Sequence, residues 1–125
     1  MSASNGKITT HVLDVSLGKP VGGMAIELWR IAENEAPQLA VVSETNSDGR
    51  LDAPLLQGQR IQGGVYEIVF AAGDYLLRGD HPFAVKGRRP LFDRIPIRFY
   101  VHDVQEHYHI PLLVAPGGYS TYRGS

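Results

Sequence analysis

The sequence predicts an all-β fold, two packed antiparallel sheets with one short helix, and three observations carry the prediction. Short stretches of alternating apolar and polar residues recur along the chain, at the period of two that suits a strand with one buried face. Fourteen glycines and eight prolines fall between these stretches and mark turns. Only one segment, 73–79, carries both the start and the stop signal of a helix. Two sheets packed face to face account for the number of strands.

Ile8 to Val15 alternates, with Thr9, His11, Leu13 and Val15 on one face and Ile8, Thr10, Val12 and Asp14 on the other, and Gly18-Lys19-Pro20 ends it. Met24 to Ile31 sets Met24, Ile26 and Leu28 against Ala25, Glu27 and Trp29 as a second strand. A turn at Asn34 to Pro37 leads into a third, Leu39 to Thr45. Asn46-Ser47-Asp48-Gly49 reads as a tight turn in which Gly49 supplies positive φ, so Arg50 is expected at a strand start. Val65 to Ala71 is β-branched and aromatic, as a core strand requires.

Gly73 to Gly79 offers Asp74 as N-cap, Tyr75-Leu76-Leu77 as an apolar turn and Gly79 as the stop. Asp80 to Asp93 reads as loop, with a basic cluster at Lys86, Arg88 and Arg89. Ile95 to His102 turns Ile95, Ile97, Phe99 and Val101 inward, and Pro96, lacking a donor, suits a strand start or a sheet edge. In Glu106 to Val114 the apolar face is Tyr108, Ile110, Leu112 and Val114, leaving His107, His109, Pro111 and Leu113 on the other. Tyr119 to Ser125 makes the final strand.

A chain of 125 residues is the size of one domain and can bury a core without disulfides or metal. A hydrophobic fraction of 43% and a charged fraction of 20% argue against disorder and against a coiled coil. A net charge of -1 with scattered Lys and Arg gives no electrostatic reason for nucleic acid or an anionic membrane as partner. The absence of cysteine removes a thiol nucleophile. No apolar run approaches the roughly 18 residues of a membrane span, and Met1 to Lys7 is too short and polar for a signal peptide. A soluble cytoplasmic protein is the resulting expectation.

The last twenty residues hold the densest chemistry. Period two places His107 and His109 on one accessible strand face, where imidazoles can serve acid–base catalysis, bind metal or simply meet solvent. No third and fourth ligand stands at metal-site spacing, so no metal is assigned. His11 occupies the same kind of position on the first strand. Arg50 is either a surface arginine or a planar fork for an anionic or imide-like substrate. His81 and His102 are assigned to structure or solvent. The serines lack a Gly-x-Ser-x-Gly setting, and there is no phosphate-cradling glycine loop. A tail this rich in hydroxyl, aromatic and guanidinium groups is expected to fold back into a site rather than fray.

Thr10-His11-Val12-Leu13-Asp14, Asp48-Gly49-Arg50, His107-Tyr108-His109-Ile110-Pro111-Leu112-Leu113 and Tyr119-Ser120-Thr121-Tyr122-Arg123-Gly124-Ser125 stand in this order along the chain. Together they resemble the 5-hydroxyisourate hydrolases, the transthyretin-related enzymes of purine catabolism, over nearly the whole length. The resemblance implies a transthyretin-like β-sandwich of about eight strands with one short helix after the fifth. It assigns residues 8–125 to that domain and leaves 1–7 as a flexible N-terminus. It further implies a homotetramer, a dimer of dimers with active sites in the channel between dimers. The implied reaction is hydrolysis of 5-hydroxyisourate to 2-oxo-4-hydroxy-4-carboxy-5-ureidoimidazoline without cofactor.

Carried over position by position, the resemblance makes His11, Arg50, His109 and Ser125 catalytic, and gives substrate contacts to His11, Arg50, Tyr122 and His107. Gly117-Gly118 departs from the bulkier residues expected at that bend, which bears on the rim of the channel. The alternative is a carrier of the transthyretin type, binding a small molecule in the same channel without turnover; there the resemblance implies other residues in place of His11, Arg50 and His109. A structural β-sandwich module is a second alternative, and would leave the polar constellation without a task. The terminal Arg123-Gly124-Ser125 is not a peroxisomal Ser-Lys-Leu signal, in keeping with a cytoplasmic location.

Overall fold

In chain order the strands are β1 (Lys7–Thr9), β2 (Val12–Asp14), β3 (Lys19–Pro20), β4 (Ala25–Ile31), β5 (Gln38–Glu44), β6 (Leu56–Gln57), β7 (Gly64–Ala71), β8 (Arg94–Val101), β9 (His107–His109), β10 (Leu112–Ala115) and β11 (Gly118–Thr121). Among the described residues the one α-helix, α1 (Ala72–Leu76), follows β7, and 3-10 turns occupy Gly58–Arg60 and Pro82–Lys86. This computed structural model describes residues 5–125, except for the side chains of 85 and 86. Residues 1–4 of the expected flexible N-terminus therefore lie outside the described residues, as does the Lys86 side chain of the basic cluster. Lys7 already belongs to β1.

One layer has the strand order β5-β4-β7-β8, all antiparallel. The facing layer joins β6-β1-β9 to β11-β10-β2-β3. Its centre is parallel: β1 runs beside β9 and β2 beside β10. The ladder is interrupted at Pro111, which has no N–H to give. Pairing continues on either side, where Ile110 N–H donates to Thr9 O and Leu112 N–H donates to His11 O, both at 2.9 Å. β1 with β2, and β9 with β10, are thus each one interrupted strand, and the two-residue β3 and β6 account for the remaining excess over the number expected.

The alternating faces carry the core. Ile8, Thr10, Val12 and Asp14 are the buried face of the first strand, and Tyr108, Ile110, Leu112 and Val114 that of its parallel neighbour. They pack on Ile26, Leu28, Tyr66, Ile68, Phe70, Ile95 and Val101. Burial of this order stabilises by about 1.5–3 kcal/mol for each large apolar side chain. Ile95 and Val101 point inward as the pattern requires, and β8, with Pro96, is the edge of its sheet.

Three local expectations need correction. The helix begins at Ala72 rather than after an Asp74 cap: its N-cap is Ala71, without a side-chain cap, because β7 runs directly into it and Asp93 O accepts from the Gly73 N–H at 2.8 Å. Asp74 instead lies in the first turn, where its charge complements the helix dipole, and Leu77 rather than Gly79 closes the helix. Arg50 follows the turn but enters no strand, and the last strand stops at Thr121.

Asp14, fully buried, ties β2 to the helical connection between β7 and β8. Its Oδ2 accepts from the Tyr75 hydroxyl at 2.5 Å and pairs with His81 Nε2 at 2.8 Å; its Oδ1 accepts from the Ser16 hydroxyl at 2.5 Å and from the backbone N–H groups of Ser16 and Leu17. Burial alone pushes this carboxyl up, but the bonds from Ser16, Tyr75, His81 and Leu17 together hold it below the usual carboxylate range. His81 is therefore a structural histidine, one of the two readings that its sequence left open. The same burial and the adjoining carboxylate push the Tyr75 phenol upward.

Candidate active site

The site lies on the outward face of β1 and β9. Their parallel register pairs Ile8 with Tyr108 on the core side and Thr9 with His109 on the other, with Lys7 opposite His107. Period two thus brings Thr9, His107 and His109 together. Thr9 Oγ1 lies 2.6 Å from His107 Nε2 and 2.8 Å from His109 Nδ1, and the two imidazole centroids are 6.0 Å apart.

The opposite wall is the segment after the Asn46–Gly49 turn. It runs beside the first strand and is bonded to it at both ends, Val12 N–H to Gly49 O and Leu55 N–H to Ile8 O, each at 2.8 Å. Between those bonds the strand has residues 9–11 and the loop residues 50–54. The longer side must bow outward, which opens a cleft above Thr9 and Thr10. Gly49 makes the closure at one end possible: its φ is +77°, and a Cβ there would strike Val12 O and crowd the His11 ring.

The cleft has a volume of about 260 Å³ and is lined by Thr9, Thr10, Arg50, Leu51–Pro54, His107, His109 and Ser125. Such a volume suits a ligand of one or two small rings. The guanidinium of Arg50 has no hydrogen-bond or ion-pair partner among the described residues, so it is available to an anionic or carbonyl oxygen. Asn46 fixes the backbone beside it, its Oδ1 accepting from the N–H groups of Asp48 and Arg50.

The tail returns to this cleft. Thr121 Oγ1 donates to Pro111 O at 2.6 Å. Arg123 Nη2 donates to Glu106 Oε1 and to His107 O, both at 3.1 Å, and its guanidinium stacks 4.6 Å from the Tyr108 ring. Gly124 N–H then donates to His109 O at 2.8 Å and delivers Ser125 to the cleft wall.

Burial pulls the pKa of His109 below its ordinary value, and the neighbouring His107, Arg50 and His11 lower it further. His109 is thus kept neutral, the form that accepts a proton. His11 sits at the edge rather than in the wall. Its Nε2 lies 2.8 Å from Asp48 O, and because a carbonyl can only accept, that nitrogen carries a hydrogen and Nδ1 is left facing away from the bond.

Of the residues singled out in the sequence, the fold brings Arg50, His107, His109 and Ser125 into one cleft, with His11 alongside. Tyr122 is 55% exposed and outside the lining. Sequence reasoning missed Thr9, Thr10 and residues 51–54 as site components. Thr9 shares the outward face with His11, and that shared face was the one available signal. Gly117 and Gly118, at the β10–β11 hairpin, have open space around both Cβ positions. Neither glycine is sterically required there.

Residues 8–124 match the family model described as the HIUase/Transthyretin family. The chain belongs to this family. It is 55% identical to a 5-hydroxyisourate hydrolase of Halalkalibacterium halodurans, over 97% of this chain and 99% of that protein. Among solved structures, Klebsiella pneumoniae 5-hydroxyisourate hydrolase is similar at 32% identity with a TM-score of 0.72, covering 100% of both chains. Transthyretin from Sparus aurata superposes with a TM-score of 0.80 at 22% identity, over 94% of this chain and 96% of that one. The transthyretin likeness establishes the shared sandwich, and the likeness in sequence extends to the hydrolases just described.

Proposed function

We propose that this protein hydrolyses 5-hydroxyisourate, opening its six-membered ring to give 2-oxo-4-hydroxy-4-carboxy-5-ureidoimidazoline without a cofactor. The observation that carries the reading is the convergence of a neutral half-buried His109, an unpaired Arg50 and Ser125 on one small cleft, in a chain whose relatives are 5-hydroxyisourate hydrolases.

His109 takes a proton from water, and the oxygen attacks a ring carbonyl. Arg50 holds substrate oxygens and stabilises the charge that develops on that carbonyl. His11, its Nε2–H committed to Asp48 O, is held in orientation by that bond and uses Nδ1 to orient water or substrate. His107 contacts substrate from the cleft wall, and Ser125 closes the pocket. Cleavage of the cyclic amide C–N bond then releases a nitrogen that must be protonated.

The same reading makes the protein a homotetramer, a dimer of dimers working in the cytoplasm, with sites in the channel between dimers. In that arrangement Tyr122, exposed in the single chain, meets substrate at the rim. The experiment is to add freshly generated 5-hydroxyisourate and follow its ultraviolet decay, with spontaneous decay subtracted. Acceleration by the protein is expected. Binding without acceleration would favour the transthyretin-type carrier instead.

A further inference from the structure

The Thr9 hydroxyl sits between two imidazole nitrogens, His107 Nε2 at 2.6 Å and His109 Nδ1 at 2.8 Å. It carries one hydrogen. It can therefore donate to only one of the two rings, and when both rings are neutral it accepts from the other. The two histidines cannot choose tautomers independently: if one presents N–H to Thr9, the other must present a lone pair.

We propose that Thr9 is a positioning residue that locks His109 and His107 into one matched pair of tautomers and carries a proton between them. The inference rests on His109 being the base. A base must offer its lone pair at Nε2, the nitrogen remote from Thr9, so its hydrogen is on Nδ1 and donates to Thr9 Oγ1. The Thr9 hydrogen then donates to His107 Nε2, and the hydrogen of His107 is on Nδ1. The opposite sense would put a hydrogen on His109 Nε2 and disable it as a base.

The same chain gives the abstracted proton a way out. When His109 Nε2 takes a proton from water, its Nδ1 hydrogen passes to Thr9 Oγ1, the Thr9 hydrogen passes to His107 Nε2, and exposed His107 releases its Nδ1 hydrogen to solvent. His109 now holds its hydrogen on Nε2, the form that donates to the departing amide nitrogen. Donation returns the hydrogens along the same line, and His107 regains one from solvent. Across the cycle one water is added over the C–N bond and no proton is gained or lost. The half-buried base is thereby joined to an exposed one, so the positive charge need not remain where desolvation penalises it.

The test compares the full-length protein with Thr9→Val, which keeps the shape and removes the hydroxyl, and Thr9→Ser, which restores it. Nitrogen-15 NMR of the imidazoles, at a pH where both rings are neutral, should show His109 and His107 each protonated at Nδ1. In Thr9→Val both should become tautomer mixtures, with kcat falling on the order of 10- to 10²-fold, less than loss of the base itself, and KM little changed. Thr9→Ser should restore both readings. A wild-type His109 protonated at Nε2 would overturn the proposal, as would unchanged tautomers in Thr9→Val, or loss in Thr9→Val that serine fails to restore. The tautomer measurement needs no substrate, so it fails or succeeds separately from the assignment of 5-hydroxyisourate.

Discussion

Gly124 lies directly against His109: its N–H donates to the His109 carbonyl at 2.8 Å, and a Cβ at position 124 would overlap Cδ2 of the imidazole. Only a residue without a side chain lets the tail close over this ring. Gly124→Ala must push either the tail or the imidazole away. Displacement of a catalytic group by about 1 Å can cost 10²-fold, so kcat should fall by roughly that factor while the thermal midpoint barely moves. Parallel kinetics and thermal melts would check this.

Deleting Tyr122 to Ser125 removes Ser125 from the cleft wall together with the Arg123 and Gly124 anchors, but no part of β10 or β11. Turnover should be abolished while the elution volume and the circular dichroism of the protein persist. Size-exclusion chromatography beside the activity assay separates the two outcomes.

The acid side of the pH profile follows from the depressed pKa of His109. Its protonated form is disfavoured chiefly by burial, then by His107, Arg50 and His11. The rate should therefore hold as pH falls through 6.5, the ordinary histidine value, and drop only below it. Arg50→Gln removes one of the positive charges, so the NMR titration midpoint of His109 should move upward in that variant. A downward shift would contradict the electrostatic account.

Asp14 links stability to pH in the carboxylate sense. Its folded pKa lies below the ordinary value of 3.8, so its contribution is fully present above that value and is lost as pH falls through the lower, folded one. Asp14→Ala leaves His81 and the Tyr75 hydroxyl buried without their acceptor, and leaving a buried polar group unsatisfied costs about 1–3 kcal/mol. Urea denaturation at neutral pH should show a loss of that order, with a flatter acid dependence than in the wild-type protein.

Much of the sandwich was legible because the period of two is a local signal. Ile8, Thr10, Val12 and Asp14 declared one buried face, Tyr108 to Val114 another, and Pro96 an edge. The His-x-His spacing likewise placed both imidazoles on one side, and Gly49 marked a turn that does require positive φ. The parallel register that inserts Thr9 between His107 and His109 was not legible. It pairs residues about a hundred positions apart, and nothing in either segment alone encodes its partner. The bowed 50–54 wall was missed for the same reason, since it arises from a mismatch in length between two segments bonded at their ends. The Asp14–His81 pair was hidden by its loop: His81 follows a helix and precedes a proline, so its sequence neighbours resemble those of a solvated residue. Asp74 misled because an N-cap needs the chain to enter the helix from a loop, whereas here a strand leads straight in.

The most direct measurement is the enzyme-dependent decay of 5-hydroxyisourate by the wild-type protein and by His109→Ala, each corrected for spontaneous opening. If His109 is the base, the wild-type protein accelerates decay and the variant loses about 10²- to 10⁴-fold in kcat. A variant that turns over at the wild-type rate would contradict the central claim.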